Sequence, residues 1–534
     1  MFTSSLHFIL LYHFSLNVWL VSREQINIYL FSIMSILACR FTVTISFLFE
    51  SIFIQVQNSH MHLLYTYMYI YIYIHICISQ FPFLYFISSF SHLAAKGNKK
   101  FSSSLEMSSA SKKKIVITGV GAVTPVGIGG QEAYQAMCEG KSGIRKLPSW
   151  ADEYPAQLAG YIDFDPKANG LKGKTIKRNG RYTHFALVAA NQAIADAGLD
   201  TEAIDQSRFG CIVGSGIGGV EWFEDNCKAF EAAKGGYDGL RMVDQFLIPA
   251  LIANTASGMI AIQHKAKGPN YCVTTACASG THSIGAALKH MRDGEADIMI
   301  AGGSEAALTP LCFAGFCALT AMTMKSNDSP ETASRPFDVD RAGFVMGEGA
   351  GVIIMETEEH AKARGATIYC ELAGYGSSCD ANHITAPAPE GVGLQQCMRM
   401  ALEDGDIKPE DVGYINAHGT STQLNDKTET QAIKAVFGEQ AKKMKISSIK
   451  SMIGHSLGAA GGIEAVICAK IMKEGIVPPT INLDNPDVEA GCDLDYTPKV
   501  AHKYGPGEIP KACISDNLGF GGHNAAIAFK RYDA

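Results

Sequence analysis

From Lys113 onward the chain alternates short, almost wholly apolar runs with longer stretches that carry helical periodicity. A strand that is apolar at successive positions buries both faces, so the pattern predicts a mostly parallel sheet covered by helices. Strands are expected near residues 115–119, 211–214, 298–302 and 412–415. Helices are expected near 182–197, 280–291, 394–403, 428–437 and 461–472. Two of these helices end alike, in Lys289-His290-Met291-Arg292-Asp293-Gly294 and in Lys470-Ile471-Met472-Lys473-Glu474-Gly475. The match hints at duplication within the chain. At 534 residues there is room for two or three domains or for one duplicated fold. An apolar content of 47% with 53 glycines suits a large α/β core threaded by tight turns.

Three motifs carry chemistry. The run Thr274-Thr275-Ala276-Cys277-Ala278-Ser279-Gly280 places a cysteine at the mouth of a small-residue helix, read as Cys277 to about Met291. Unpaired N–H groups and a partial positive charge at a helix start favour a thiolate, which predicts a nucleophile near neutral pH. By itself the run fits close helix packing equally well. Asn416-Ala417-His418-Gly419-Thr420-Ser421-Thr422 follows an apolar strand, and Lys450-Ser451-Met452-Ile453-Gly454-His455 is followed by a glycine- and alanine-rich run. One cysteine with histidines far off in sequence is the pattern of a nucleophile and acid/base groups assembled by folding. Gly519-Phe520-Gly521-Gly522 supplies a flexible turn whose backbone N–H can meet an oxyanion.

The bulk numbers exclude other classes. A formal net charge of −7 argues against nucleic acid as a partner. Fifteen cysteines, scattered through apolar segments without paired spacing, read as reduced thiols rather than disulfides or metal ligands. Residues 1–111 differ in kind. They hold the run Tyr65-Thr66-Tyr67-Met68-Tyr69-Ile70-Tyr71-Ile72-Tyr73-Ile74 and few acids. The extension reads as a disordered targeting presequence or as non-coding DNA read in frame. A membrane span is the weakest reading, because the apolar stretch 8–21 is short and broken by His13, Ser15 and Asn17.

Together the motifs resemble those of the β-ketoacyl-acyl-carrier-protein synthases, the condensing enzymes of type II fatty acid synthesis, on the synthase II side. Ser334-Arg335-Pro336-Phe337-Asp338 and Pro478-Pro479-Thr480-Ile481-Asn482-Leu483-Asp484 extend the likeness over roughly four fifths of the chain. The resemblance implies an α/β, thiolase-like, five-layered α-β-α-β-α fold of two duplicated halves, residues 112–364 and 365–534. It implies an acyltransferase that condenses malonyl-carrier protein with a Cys-bound acyl chain, with loss of carbon dioxide and without metal or organic cofactor. It assigns Cys277 as nucleophile, His418 and His455 as donors to the malonyl thioester, and the N–H groups of Cys277 and Phe520 as an oxyanion site. Lys450 would favour the thiolate, orient a histidine, or pair with Glu429. Asp426, Glu429 and Glu464 would support that set from behind. Thr420, Thr422 and Thr385 would bind the phosphopantetheine arm, and Ile217 and Phe316 the acyl chain.

The partner implied is an acidic acyl carrier protein, met by Lys174, Lys177, Arg178 and Arg181. A homodimer is also implied, with neither nucleic acid nor membrane as partner. Asp516-Asn517-Leu518 stands where the family carries Asn-Ser-Phe, and Thr320 where it carries an arginine. A polyketide-type ketosynthase and a non-catalytic partner subunit of the same fold stay open as alternatives. The acid-poor extension points to the plastid, with mitochondrion or cytoplasm as alternatives.

Overall fold

The computed structural model describes residues 112–533. The Tyr/Ile run and the rest of the extension lie outside the described residues. Ten strands in chain order form the continuous path of the large sheet: β1 Ile115–Thr124, β2 Phe209–Gly214, β3 Asn270–Tyr271, β4 Ile298–Glu305, β5 Gly349–Thr357, β6 Cys370–Cys379, β7 Val412–Asn416, β8 Lys445–Ser447, β9 Ala512–Gly519 and β10 His523–Arg531, and the short strand Gly127–Ile128 pairs with the end of β1 beside it. Among the helices that cover them are α1 Arg181–Asp196, α2 Thr255–His264, α3 Ser279–Arg292, α4 Val392–Asp404, α5 Gln423–Phe437 and α6 Ala460–Glu474.

The hydrogen-bonded order is β8-β7-β9-β10-β6-β1-β5-β4-β2-β3. It divides into two identical halves. In the first, β3-β2-β4 pair in parallel, and β4-β5 and β5-β1 pair antiparallel. In the second, β8-β7-β9 pair in parallel, and β9-β10 and β10-β6 antiparallel. Four of five strands in each half therefore run one way with one reversed strand inserted, and that insertion corrects the expected mostly parallel sheet: each half has two parallel and two antiparallel pairs. The halves meet through the pairs Val116↔Glu371 and Ile117↔Cys370.

Helix placement repeats as well. Helix α1 lies on β1 and β5, and α4 on β6 and β10, as outer layers. Helices α3 and α6 pack on each other and on strands of both halves, which makes them the shared central layer. This is the five-layered, duplicated arrangement. The two helices whose endings match in sequence are thus structural counterparts, at the same step of each half.

Strand residues sort between layers with period two. In β5, Ile353 and Met355 face the central core, while Val352 and Ile354 face the outer core under α1. In β10, Ile527 and Phe529 face the centre, while Ala526 and Ala528 face the outer core under α4. The central layer sits unusually close to the sheet. A Cβ on Gly351 would fall 2.2 Å from the backbone of Gly462, and one on Gly462 would fall 2.3 Å from the carbonyl of Gly351. Because the obstacles are backbone, no side-chain rotation makes room. The glycines at these crossings let α6 lie against the strands, and α6 carries one member of the site.

Candidate active site

Cys277 lies in the turn between β3 and α3. Ala276, before it, takes a left-handed φ of 51°. The turn is held by Ala278 N–H to Thr275 O (3.1 Å) and by Ser279 Oγ, which donates to Ala276 O (2.6 Å) and accepts from Thr275 N–H (2.8 Å). Non-glycine residues pay for that φ, and such strain is typical of a side chain being aimed. Helix α3 starts at Ser279 with Ala278 as its cap. Cys277 is therefore just ahead of the helix rather than in its first turn.

The predicted ready-made thiolate is corrected by the same geometry. Burial pushes the Cys277 thiol up to about 12, and Glu305 adds to the rise. Lys450 and the N–H groups of Phe520 and of Cys277 oppose it without overcoming it. Desolvation of an anion outweighs the helix start here. Phe520 nevertheless lines the same cavity as Cys277, and its N–H opposes the rise of the thiol, as an oxyanion donor on that side would. Gly519 permits this: a Cβ there would fall 2.5 Å from Thr275 O.

A cavity of about 550 Å³ gathers the predicted residues. Cys277, His418 and His455 line it together with Phe520, Ile217, Phe316, Thr385, Thr420 and Thr422. The two imidazoles stand edge to face, with ring centres 5.2 Å apart at 90°, and Phe344 backs His455 at 5.5 Å. His418 follows β7. Its N–H donates to Glu429 Oε1 (2.6 Å) and lies 3.2 Å from Asp516 Oδ1, while Gly419 N–H donates to Glu429 Oε2 (2.8 Å). His455 is fixed through its backbone, with N–H to Val345 O at 2.7 Å and O from Gly347 N–H at 2.8 Å. Burial and the Lys450 charge push both imidazoles well below their usual range, so both are neutral. Neutral imidazoles can donate one N–H without carrying charge into a dry site.

Lys450 is 2% exposed and pairs with Glu464, 1% exposed, on α6. The expected pairing with Glu429 is not made, because Glu429 is taken by the His418–Gly419 backbone. Asp426 accepts from Phe337 N–H (2.8 Å) and Ser421 N–H (3.2 Å), pinning the loop that carries His418 and Thr420. Glu429 and Asp516 are both fully buried; burial raises both carboxyls, Asp516 raises Glu429 further, and the hydrogen bond from Glu429 opposes the rise at Asp516.

The docking residues divide. Lys174, Lys177 and Arg178 are exposed, and Arg178 stacks on Phe246 at 4.7 Å. Arg181 does not belong with them: it forms a two-pronged pair with Glu348 (2.7 and 3.0 Å) and lies over Phe185 at 4.8 Å. Its guanidinium is spent inside the fold. Three residues escaped the sequence reading. Glu305 accepts from Ser215 Oγ (2.9 Å) and from the N–H groups of Gly216 (2.7 Å) and Gly458 (3.1 Å), tying the acyl-pocket loop to the turn after His455. A lone acid ending the apolar strand β4 was its signal. Asp516 and Asn517 were visible as departures from the family, without a role. Thr320, the other departure, lines the cavity with a φ of 53°.

Comparison with known proteins identifies the family. Residues 112–361 match the β-ketoacyl synthase N-terminal domain and residues 369–484 its C-terminal domain. The chain is 47% identical over 428 residues to a 3-oxoacyl-[acyl-carrier-protein] synthase 2 of Synechocystis, covering 80% of this chain and 100% of that protein. It is 45% identical over 422 residues to the enzyme of that name from Coxiella burnetii, covering 79% and 99%. Among solved structures, a type II PKS ketosynthase bound to its acyl-carrier protein (AntDE:AntF) superposes with a TM-score of 0.73 at 36% identity, covering 79% of this chain and 100% of that one. A β-ketoacyl synthase of Burkholderia phymatum gives 0.72 at 34%, with the same coverage.

The neutral resting thiol has a direct consequence. Site-resolved alkylation of Cys277 by iodoacetamide is expected to quicken about tenfold per pH unit between pH 7 and 9, following the thiolate fraction. A rate that levels off below pH 8 contradicts this.

Proposed function

The chain belongs to the β-ketoacyl synthase family, and from that premise we propose that it elongates acyl chains as a 3-oxoacyl-[acyl-carrier-protein] synthase. The observation that carries the reading is the meeting of Cys277, His418 and His455 in one cavity that Phe520 also lines. In the first stage Cys277 attacks an acyl thioester, and the N–H groups of Cys277 and Phe520 hold the tetrahedral oxyanion. The proton of the thiol passes to the departing carrier sulfur, so acyl transfer leaves no net charge in the pocket. The acyl chain then lies against Ile217 and Phe316.

In the second stage malonyl-carrier protein enters past Thr385, Thr420 and Thr422, which hold its pantetheine arm. Loss of carbon dioxide leaves an enolate, whose oxygen accepts hydrogen bonds from His418 and His455. The enolate carbon attacks the acyl-Cys277 carbonyl, and collapse returns the sulfur as thiolate. Lys450 lies close enough to lower the energy of that transient anion. Every step uses side chains and backbone of the site, and none calls for a metal or organic cofactor.

The partner proposed is an acyl carrier protein docking on Lys174, Lys177 and Arg178. Support comes from the charge of those side chains and from the relative AntDE, solved with its own carrier. A homodimer is proposed as well, with a second copy covering the edge strand β3 and the neighbouring Ile262, which is 73% exposed. For the extension we propose a plastid address, on its scarcity of acids.

Incubation with acyl- and malonyl-carrier protein should release carbon dioxide and yield a β-ketoacyl product, and Cys277→Ala should abolish the product. Absence of both from the unaltered protein refutes the proposed activity. Sedimentation as a monomer would contradict the dimer, and a native N-terminus retaining the extension would contradict its role as a cleaved address.

A further inference from the structure

Asn517, on β9, makes three contacts with catalytic neighbours. Its Oδ1 accepts from the hydroxyl of Thr281, one turn along α3 from the nucleophile. Its Nδ2 lies 2.8 Å from Glu464 Oε2 and 3.1 Å from His418 Nδ1. The other oxygen of Glu464 holds Lys450. A carboxylate engaged by an ammonium accepts only, so the face of the amide turned to Glu464 must be its NH₂. That group has two hydrogens. One goes to Glu464, and the second points at His418 Nδ1, which must then be the unprotonated nitrogen.

We propose that Asn517 is a positioning residue that sets the tautomer of His418, fixing Nδ1 as an acceptor and holding the ring proton on Nε2. This deepens the proposed condensation and rests on it. Nε2–H is the edge that can donate to the enolate oxygen, so the tautomer decides whether His418 serves decarboxylation. A serine here has one hydroxyl hydrogen and can donate to Glu464 or to His418, not to both. Asparagine supplies both at once, and through Thr281 it also registers α3 against the histidine. The single amide thus joins the nucleophile helix, the Lys450–Glu464 pair and the imidazole.

The test uses the full chain with ¹⁵N-labelled histidine, the His418 signals being those absent from His418→Ala. The unaltered protein is expected to show protonated Nε2 and bare Nδ1. Asn517→Asp replaces the second donor with an acceptor and should move the proton to Nδ1. Malonyl-carrier-protein decarboxylation should then fall about 10²-fold, at least about tenfold further than acyl loading of Cys277. Asn517→Ser should recover most of the decarboxylation. A bare Nε2 in the unaltered protein overturns the inference, whether or not the variants fold. Equal loss of both half-reactions in Asn517→Asp, with the tautomer unmoved, also overturns it. If the unaltered protein decarboxylates nothing, the proposed activity fails, and the tautomer measurement still decides the role of Asn517.

Discussion

The burial of four functional side chains around one pocket governs the rest of the site. Cys277, His418, His455 and Lys450 are all buried, so any charge on them is expensive unless it is paired. Lys450 is paired with Glu464, and its nearness makes protonation of both imidazoles still less favourable. The same burial holds the Cys277 thiol protonated at rest. The resting site is therefore close to neutral wherever substrate will lie, with one fixed cation beside it. Anions that appear during reaction, an oxyanion or an enolate, meet donors already in place and need no solvent to reorganise.

Such a pocket requires a scaffold that brings four segments far apart in sequence within a few ångströms of one another. Duplication provides it. The central layer of α3 and α6 takes one helix from each half, and the nucleophile and Glu464 are carried at matching ends of that layer. The close backbone crossing at Gly351 and Gly462 sets how far α6 can sit from the strands, and so where Glu464 reaches Lys450. Loops closing the site are in turn held by buried carboxylates: Glu305 behind the acyl loop, Asp426 and Glu429 behind His418.

Most of the scaffold was legible because the strands are apolar on both faces and the helices end at clear breaks. The observed α3, α4 and α6 fall within two or three residues of expectation, and the matched endings of α3 and α6 marked true counterparts. The reacting trio was legible because one cysteine and two histidines sit in separate small-residue motifs far apart in sequence, the pattern of a site assembled by folding. Pairings were less so. Glu464 follows Lys450 by fourteen residues across a turn and a helix start, and no local spacing distinguishes it from Glu429. Arg181 stood in a basic run, and only the fold shows its guanidinium lying over Phe185 and paired with Glu348. The Cys277 thiol was misjudged because a helix start is visible in sequence, whereas the depth of burial that outweighs it is not.

Neutrality of the two imidazoles throughout the working range is the central requirement of this site, and histidine NMR titration reads it most directly. Between pH 5 and 8 the ring signals of His418 and His455 should not shift, since burial and Lys450 hold both well below the ordinary value of about 6.5. A midpoint near 6.5 for either ring would show a wet or charged pocket and contradict the account.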